Sequence, residues 1–217
     1  MLHFIFRNIL IVLLGCLSFQ GAFGQADWKQ IVDKEGIKVH SKSVPNSKIK
    51  AVKVNCTLNT TPDALVALLL DVESSVDWVT NTKSCKLLKK VSPSELYYYS
   101  EVTLPWPLEN RDFVAHLKVT QNTATKVIKI NGPAVPGIVK EKKNVVRIPQ
   151  SVGAWVITPV SDHQVQVEYI LQVDPGGVIP AWAVNAVSTQ TPLKIFQNMK
   201  KQLLLAEYKN ADLSFIQ

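Results

Sequence analysis

Enzymatic chemistry needs nucleophiles, acid–base groups or metal ligands held close together, and in this 217-residue chain such groups are scattered. Beyond the N-terminal segment the histidines are His40, His116 and His163, in separate strands or turns. No two of them have metal-ligand spacing, and no Cys-x-x-Cys or His-Glu-x-x-His occurs. There is no Gly-x-Ser-x-Gly elbow and no phosphate loop. Asp174-Pro175-Gly176-Gly177 has the composition of a phosphate cradle, but it follows a strand and holds a proline, which makes it a turn. Two residues stand out. A carboxylate on an apolar strand face costs several kcal/mol unless paired or protonated. Glu101 therefore either reaches water or Arg111 at a strand end, or anchors the polar end of a bound molecule. Arg111 either holds an anion such as phosphate, for which a guanidinium suits bidentate recognition, or braces Glu101, Asp112 or the loop before it. No catalytic residue, metal or cofactor is expected.

The elements that must position these residues are legible as periodicity. Ile37 and Val39 alternate with Lys38 and His40, a half-buried strand after the Gly36 turn. Ile49 to Leu58 reads as a further strand beyond a turn at 45–47. Thr60-Thr61-Pro62-Asp63 starts a helix, with a hydroxyl N-cap, proline in the first turn and an acid beside it. A short helix holds Val76, Trp78 and Val79. From Cys85 the period returns to two, and strands are expected over 85–91, 95–104, 111–120, 125–131, 137–147, 152–159 and 163–173. Within them Tyr97, Tyr99, Glu101 and Thr103 share one face, as do Phe113, Ala115, Leu117 and Val119, and Val165, Val167, Tyr169, Leu171 and Val173. His116 faces the other way from Phe113 and Leu117. The segment 178–208 is helical, with Trp182, Asn185 and Thr189 on one stripe that continues through Leu193 and Phe196. Pro192 should break or kink it near 189–191.

Composition excludes several classes. Apolar residues make up 47% and charged residues 19%, too apolar for a disordered chain. The length fits one domain. Met1–Gly24 has the layout of a secretory signal peptide, with Arg7 before an uncharged run and Ala22-Phe23-Gly24 before the expected cleavage. Leu13-Leu14-Gly15-Cys16 also resembles a lipobox, so anchoring through Cys16 is the alternative. Residues 25–217 form the mature domain, periplasmic or secreted. Losing Arg7 lowers the net charge by one from +7. That excess could meet an anionic membrane, each surface Lys or Arg being worth about 1 kcal/mol there. No basic–aromatic repeat points to nucleic acid.

Two longer motifs carry a resemblance. Pro105-Trp-Pro-Leu-Glu-Asn-Arg-Asp-Phe-Val114 and Asp174-Pro-Gly-Gly-Val-Ile-Pro-Ala-Trp-Ala-Val-Asn185 resemble the START domain, the lipid-transfer module related to the steroidogenic acute regulatory protein. Trp28 and Trp78 also sit where that family usually places tryptophan. The Pro-Trp-Pro stretch is most similar to the phosphatidylcholine-transfer type. The resemblance implies an α+β helix-grip fold, a curved antiparallel sheet wrapped around a long C-terminal helix that serves as a lid over a lipid. It also sets Cys56 and Cys85 on distant strands, which favours free thiols over a disulfide. Sterol-type members pair a buried carboxylate, matched by Glu101, with an arginine whose position here is Leu117. Their ligand preference is therefore not carried over.

Together these readings give a monomeric, non-catalytic domain that binds and transfers a lipid, a phospholipid first. The expected cavity residues are Tyr97, Tyr99, Glu101, Arg111, Phe113, Leu117, Trp155, Tyr169, Leu171, Trp182, Asn185, Thr189, Leu193 and Phe196. Trp106 and Leu108 form a gate with transient membrane contact. The alternatives are a cyclase-like enzyme of the same broad superfamily, using Glu101 or Tyr99 as acid–base groups, and an interaction domain with a filled core.

Overall fold

Ile37 and Val39 are wholly buried while Lys38 is exposed, and this alternation builds the strand Ile37–Lys42 (β2) beside Lys29–Lys34 (β1). The computed structural model describes residues 28–45, 50–177 and 179–217, and of 181–189 the backbone only. The leader reading of Met1–Gly24, with Cys16, and the side chains of Trp182, Asn185 and Thr189 fall outside the described residues. After Ala51–Leu58 (β3), Thr61 caps the helix Pro62–Leu70 (α1), its hydroxyl accepting from the Ala64 amide at 3.1 Å. The short helix Ser75–Trp78 (α2) leads into a meander. Its strands are Thr82–Ser92 (β4), Glu95–Val102 (β5), Asn110–Gln121 (β6), Ile128–Asn131 (β7), Val145–Arg147 (β8), Gln150–Ser161 (β9) and Gln164–Asp174 (β10). Helices Ala181–Gln202 (α3) and Ala206–Lys209 (α4) close the chain.

The described strands form one sheet in the order β1-β2-β3-β10-β9-β7-β6-β5-β4, with β8 pairing with β6 outside this path. Every pairing is antiparallel except β6 with β8. The C-terminal half of α3 lies against β1, β2 and β3, where Phe196 and Met199 are wholly buried and Leu193 and Leu203 nearly so. This is the helix-grip form of an α+β fold.

Three local expectations change. The strand expected over 137–147 is present only at Val145–Arg147 and runs parallel to β6. Pro136, the left-handed turn at Gly137 (φ 84°) and the charged run 140–143 keep the preceding residues out of the ladder. The strand expected from 125 begins at Ile128, because Asn122 Oδ1 accepts the amides of Ala124 and Thr125 and closes a turn there. Helix α3 runs through Pro192 without interruption. Proline removes one backbone bond from such a helix, and the burial of Leu193, Phe196 and Met199 immediately after it holds the following turns in place.

Cys56 on β3 and Cys85 on β4 are separated by five strands in the sheet and both are free thiols.

Candidate ligand cavity

The register of β5 against β6 decides which side chains face inward. Cross-strand partners share a face, and Tyr97 lies opposite His116, Tyr99 opposite Val114 and Glu101 opposite Asp112. The rings of Tyr97 and His116 stack at 4.3 Å, and His116 Nε2 lies 2.7 Å from Glu95 Oε1. These residues occupy the outer face of the sheet. Tyr97, Tyr99 and Glu101 therefore do not line the cavity; their neighbours Tyr98, Ser100 and Val102 do. The expected inward face was shifted by one residue, which inverts every side chain on a strand.

Glu101 is nonetheless buried, at 4% exposure. Lys83 Nζ donates to Glu101 Oε1 at 2.8 Å and Lys142 Nζ to Oε2 at 3.0 Å, while Asn110 Nδ2 donates to Oε1 at 3.0 Å. The Lys83 bond above all, with those from Asn110 and Lys142, outweighs burial and holds the carboxyl down to about 2. Beside it Asp112, 1% exposed, receives a bidentate pair from Arg147, Nε to Oδ1 at 2.6 Å and Nη2 to Oδ2 at 3.0 Å. The Tyr99 hydroxyl donates to Asp112 Oδ2 at 3.1 Å, and Lys142 Nζ sits 4.5 Å from the Tyr99 ring centroid. This clasp ties the 139–147 segment to the back of β5 and β6, with Arg147 Nη1 also donating to the Val139 carbonyl at 3.0 Å. Lys83 and Arg147 gave no signal in the sequence, since β4 and the 139–147 segment are both rich in basic residues.

The inner face encloses a cavity of about 350 Å³, within the range of small-molecule sites. Its walls are the inward faces of β5, β6, β9 and β10, the end of α1, α2 with the following residues 79–82, and one edge of α3. Arg111, Phe113, Leu117, Trp155, Tyr169 and Leu171 lie on these walls. Among the described side chains of α3, Thr191 and Ile195 border the space, while Phe196 and Leu193 lie in the adjoining core. Phe196 packs against Trp155 at 5.6 Å, and Trp155 against Tyr169 at 4.2 Å. Leu193 and Phe196, expected at the cavity, thus anchor the described part of the helix in the core instead.

Polar atoms are few. The Trp78 Nε1–H, the Thr80 hydroxyl and Arg111 Nε are buried with no partner among the described residues. Burial pushes the phenols of Tyr98 and Tyr169 upward, so both stay protonated donors. Arg111 is 4% exposed and donates through Nη1 to the Glu109 carbonyl. It pairs with neither Glu101 nor Asp112, whose counter-charges come from other cations. Burial pulls its guanidinium down against the opposing effect of Glu109. Trp78, Tyr98 and Ser100 are cavity residues that the sequence reading did not assign.

Pro105–Glu109 forms a tight turn, closed by the Leu108 amide donating to the Pro105 carbonyl at 3.0 Å. Its tip is Trp106, 90% exposed, and Leu108 is half-buried. At the other approach to the cavity, Asp174 Oδ1 accepts the Gly176 amide at 3.0 Å. Gly176 and Gly177 both have positive φ, and a Cβ on Gly176 would press to 3.0 Å from the Arg147 carbonyl. The segment is a turn. Among the described residues no group of three or more His, Cys, Asp and Glu is arranged to hold a metal, and no helix is long and apolar enough to cross a membrane.

A family model described as START domain matches residues 18–207. The chain belongs to the START family. An uncharacterized protein of Pseudomonas aeruginosa is 32% identical over 197 residues, covering 89% of this chain and 96% of its own. The mouse phosphatidylcholine transfer protein is 29% identical over 168 residues, 74% of this chain and 76% of its own. A solved STAR-related lipid transfer protein fragment from Xanthomonas axonopodis superposes with a TM-score of 0.75 at 31% identity, covering 82% of this chain and 99% of that one. The START assignment agrees with the sheet-and-helix architecture and with a cavity lying between them.

Proposed function

We propose that this START domain binds one lipid, a phospholipid, and carries it between membranes without altering it. The observation that carries this reading is the mostly apolar cavity between sheet and helix, furnished with a few buried donors that have no partner among the described residues. START membership and the phosphatidylcholine-transfer relatives support lipid binding and transfer in general. Burying acyl chain would supply most of the affinity, about 0.8 kcal/mol per CH₂.

Entry needs an opening, and two elements border one. Residues of α3 beyond Pro192 are fixed in the core, so the turns before it swing about a position that already lacks one backbone bond. The Trp106 tip inserts its indole into the membrane interface while the exposed Lys140 and Lys143 lie against anionic headgroups. Lys200 does not join them, because it donates to the Glu35 carbonyl at 2.8 Å beside the opposite sheet edge. The protein works as an exported monomer, released after cleavage near Gly24 or held through an acylated Cys16.

Native mass spectrometry of the purified protein, with lipid analysis of what it carries, tests the reading. A bound intact phospholipid is expected. A small aromatic compound converted by the protein would support the cyclase alternative, and refusal of every lipid probe would support a filled-core interaction domain. The mass of the mature N-terminus decides between cleavage and acylation.

A further inference from the structure

The lipid-binding reading leaves open the charge of the ligand's polar end, and the wall residues bear on it. Among the described residues two carboxylate or guanidinium side chains border the cavity, Asp71 and Arg111. Asp71 is exposed and accepts the Tyr208 hydroxyl at 2.7 Å, so it belongs to the rim. Arg111 is buried; among the described residues its Nη1 donates to a backbone carbonyl and its Nε has no partner. Every acid around it is accounted for. Asp112 points to the other face of β6 and is held by Arg147, and Glu101 is held by Lys83 and Lys142. Glu109 is exposed and makes no ion pair with the guanidinium. The remaining described polar side chains at the wall are neutral: the Trp78 Nε1–H is a donor, and the phenols of Tyr98 and Tyr169, the Ser and Thr hydroxyls and the Asn81 amide can each donate to an anion.

Such a surface suits an anion, and the carboxylate that could meet a cation, Asp71, lies at the exposed rim and is engaged by the Tyr208 hydroxyl. Aromatic faces could otherwise receive a quaternary ammonium, but of the described rings at the wall Trp155 and Tyr169 pack on each other and on Phe196, Tyr98 packs edge-on with Phe113, and Trp78 lies on α2, away from Arg111 at the tail end. Gly177 leaves space beside the guanidinium, since a Cβ there would reach 3.9 Å from Arg111 Nη2. We propose that the cavity selects a lipid whose polar end is net negative, a phosphate or carboxylate carrying no cationic group. This end sits against Arg111 beside the 174–177 turn, with the apolar tail running toward α1 and α2.

The test is competitive loading. The protein is equilibrated with vesicles containing equal parts of phosphatidylcholine, phosphatidylglycerol and phosphatidic acid of matched acyl chains, together with oleic acid, and the bound lipid is read by native mass spectrometry. All lipids share one membrane, so surface attraction cannot sort them. The anionic species should exceed phosphatidylcholine by at least about tenfold, the low end for a buried charge pair. Arg111→Gln should abolish the preference, and Arg111→Lys should retain part of it. Oleate dominating identifies a carboxylate ligand; phosphatidic acid or phosphatidylglycerol dominating identifies a phosphate. Phosphatidylcholine bound equally or better by the unaltered protein overturns the proposal even if Arg111→Gln fails to fold, and leaves lipid carriage standing. Uptake of no lipid at all overturns lipid carriage and this proposal with it.

Discussion

Replacing Glu101 by glutamine separates a structural clasp from a ligand anchor. In the folded protein its carboxyl is held near 2, against an ordinary value of 4.5. That gap corresponds to about 3 kcal/mol at 1.36 kcal/mol per unit. Lys83 and Lys142 are 56% and 49% exposed, so solvent screening reduces the net figure to about 1–2 kcal/mol. Because the folded value is the lower one, the stabilisation is complete above about pH 5 and is lost as pH falls from 4.5 toward 2. Glu101→Gln should therefore lower stability at neutral pH by about 1–2 kcal/mol, a fall in Tm of about 2–8 °C at this size. The difference from the unaltered protein should close on acidification. Urea titrations at pH 7, 5, 4 and 3 measure this directly. The lipid carried, and the preference among headgroups, should stay the same, since the side chain lies behind the wall. A difference that persists unchanged at pH 3, or an altered headgroup preference, would refute the reasoning.

Other perturbations address neighbouring features. Arg147→Met leaves Asp112 buried and unpaired and should cost about 3–5 kcal/mol in urea denaturation, with Asp112→Asn in the same chain recovering part of it. Trp106→Ala should leave stability within about 0.5 kcal/mol because the side chain is 90% exposed, yet weaken partitioning to anionic vesicles by roughly tenfold, measured by sedimentation. Burial pushes the Cys56 thiol up to about 12 and also raises that of Cys85, but Cys85 is the more exposed of the two, so a thiol reagent should label Cys85 first in the native protein and both after unfolding. A denatured sample in which neither thiol titrates would disprove the free-thiol assignment.

What the sequence made legible follows from how many faces each strand buries. On β6 and β10 the inward sets led by Phe113 and Tyr169 were readable, because Lys118, Gln166 and Gln172 mark the other face as wet. On β5 no such marker exists. Leu96, Tyr98 and Ser100 are covered by the cavity side, and Tyr99 and Glu101 by the 139–147 segment, so both registers look equally apolar. The deciding fact is non-local: Lys142 and Arg147 arrive from some forty residues away in sequence to neutralise the carboxylates. Thr61 as helix cap needed only its neighbours and was therefore plain. The course of α3 past Pro192 depended on burial of Phe196 and Met199 against a sheet whose strands lie far upstream, and local propensity pointed the other way.

The contact of Trp155 with Phe196 also gives the molecule its own optical gauge. The indole sits on the sheet, bordering the cavity, while the ring it touches belongs to the closing helix. Loading and release of cargo should therefore register in the emission of a native residue. The exchange rate could then be followed in real time with no labelled lipid at all.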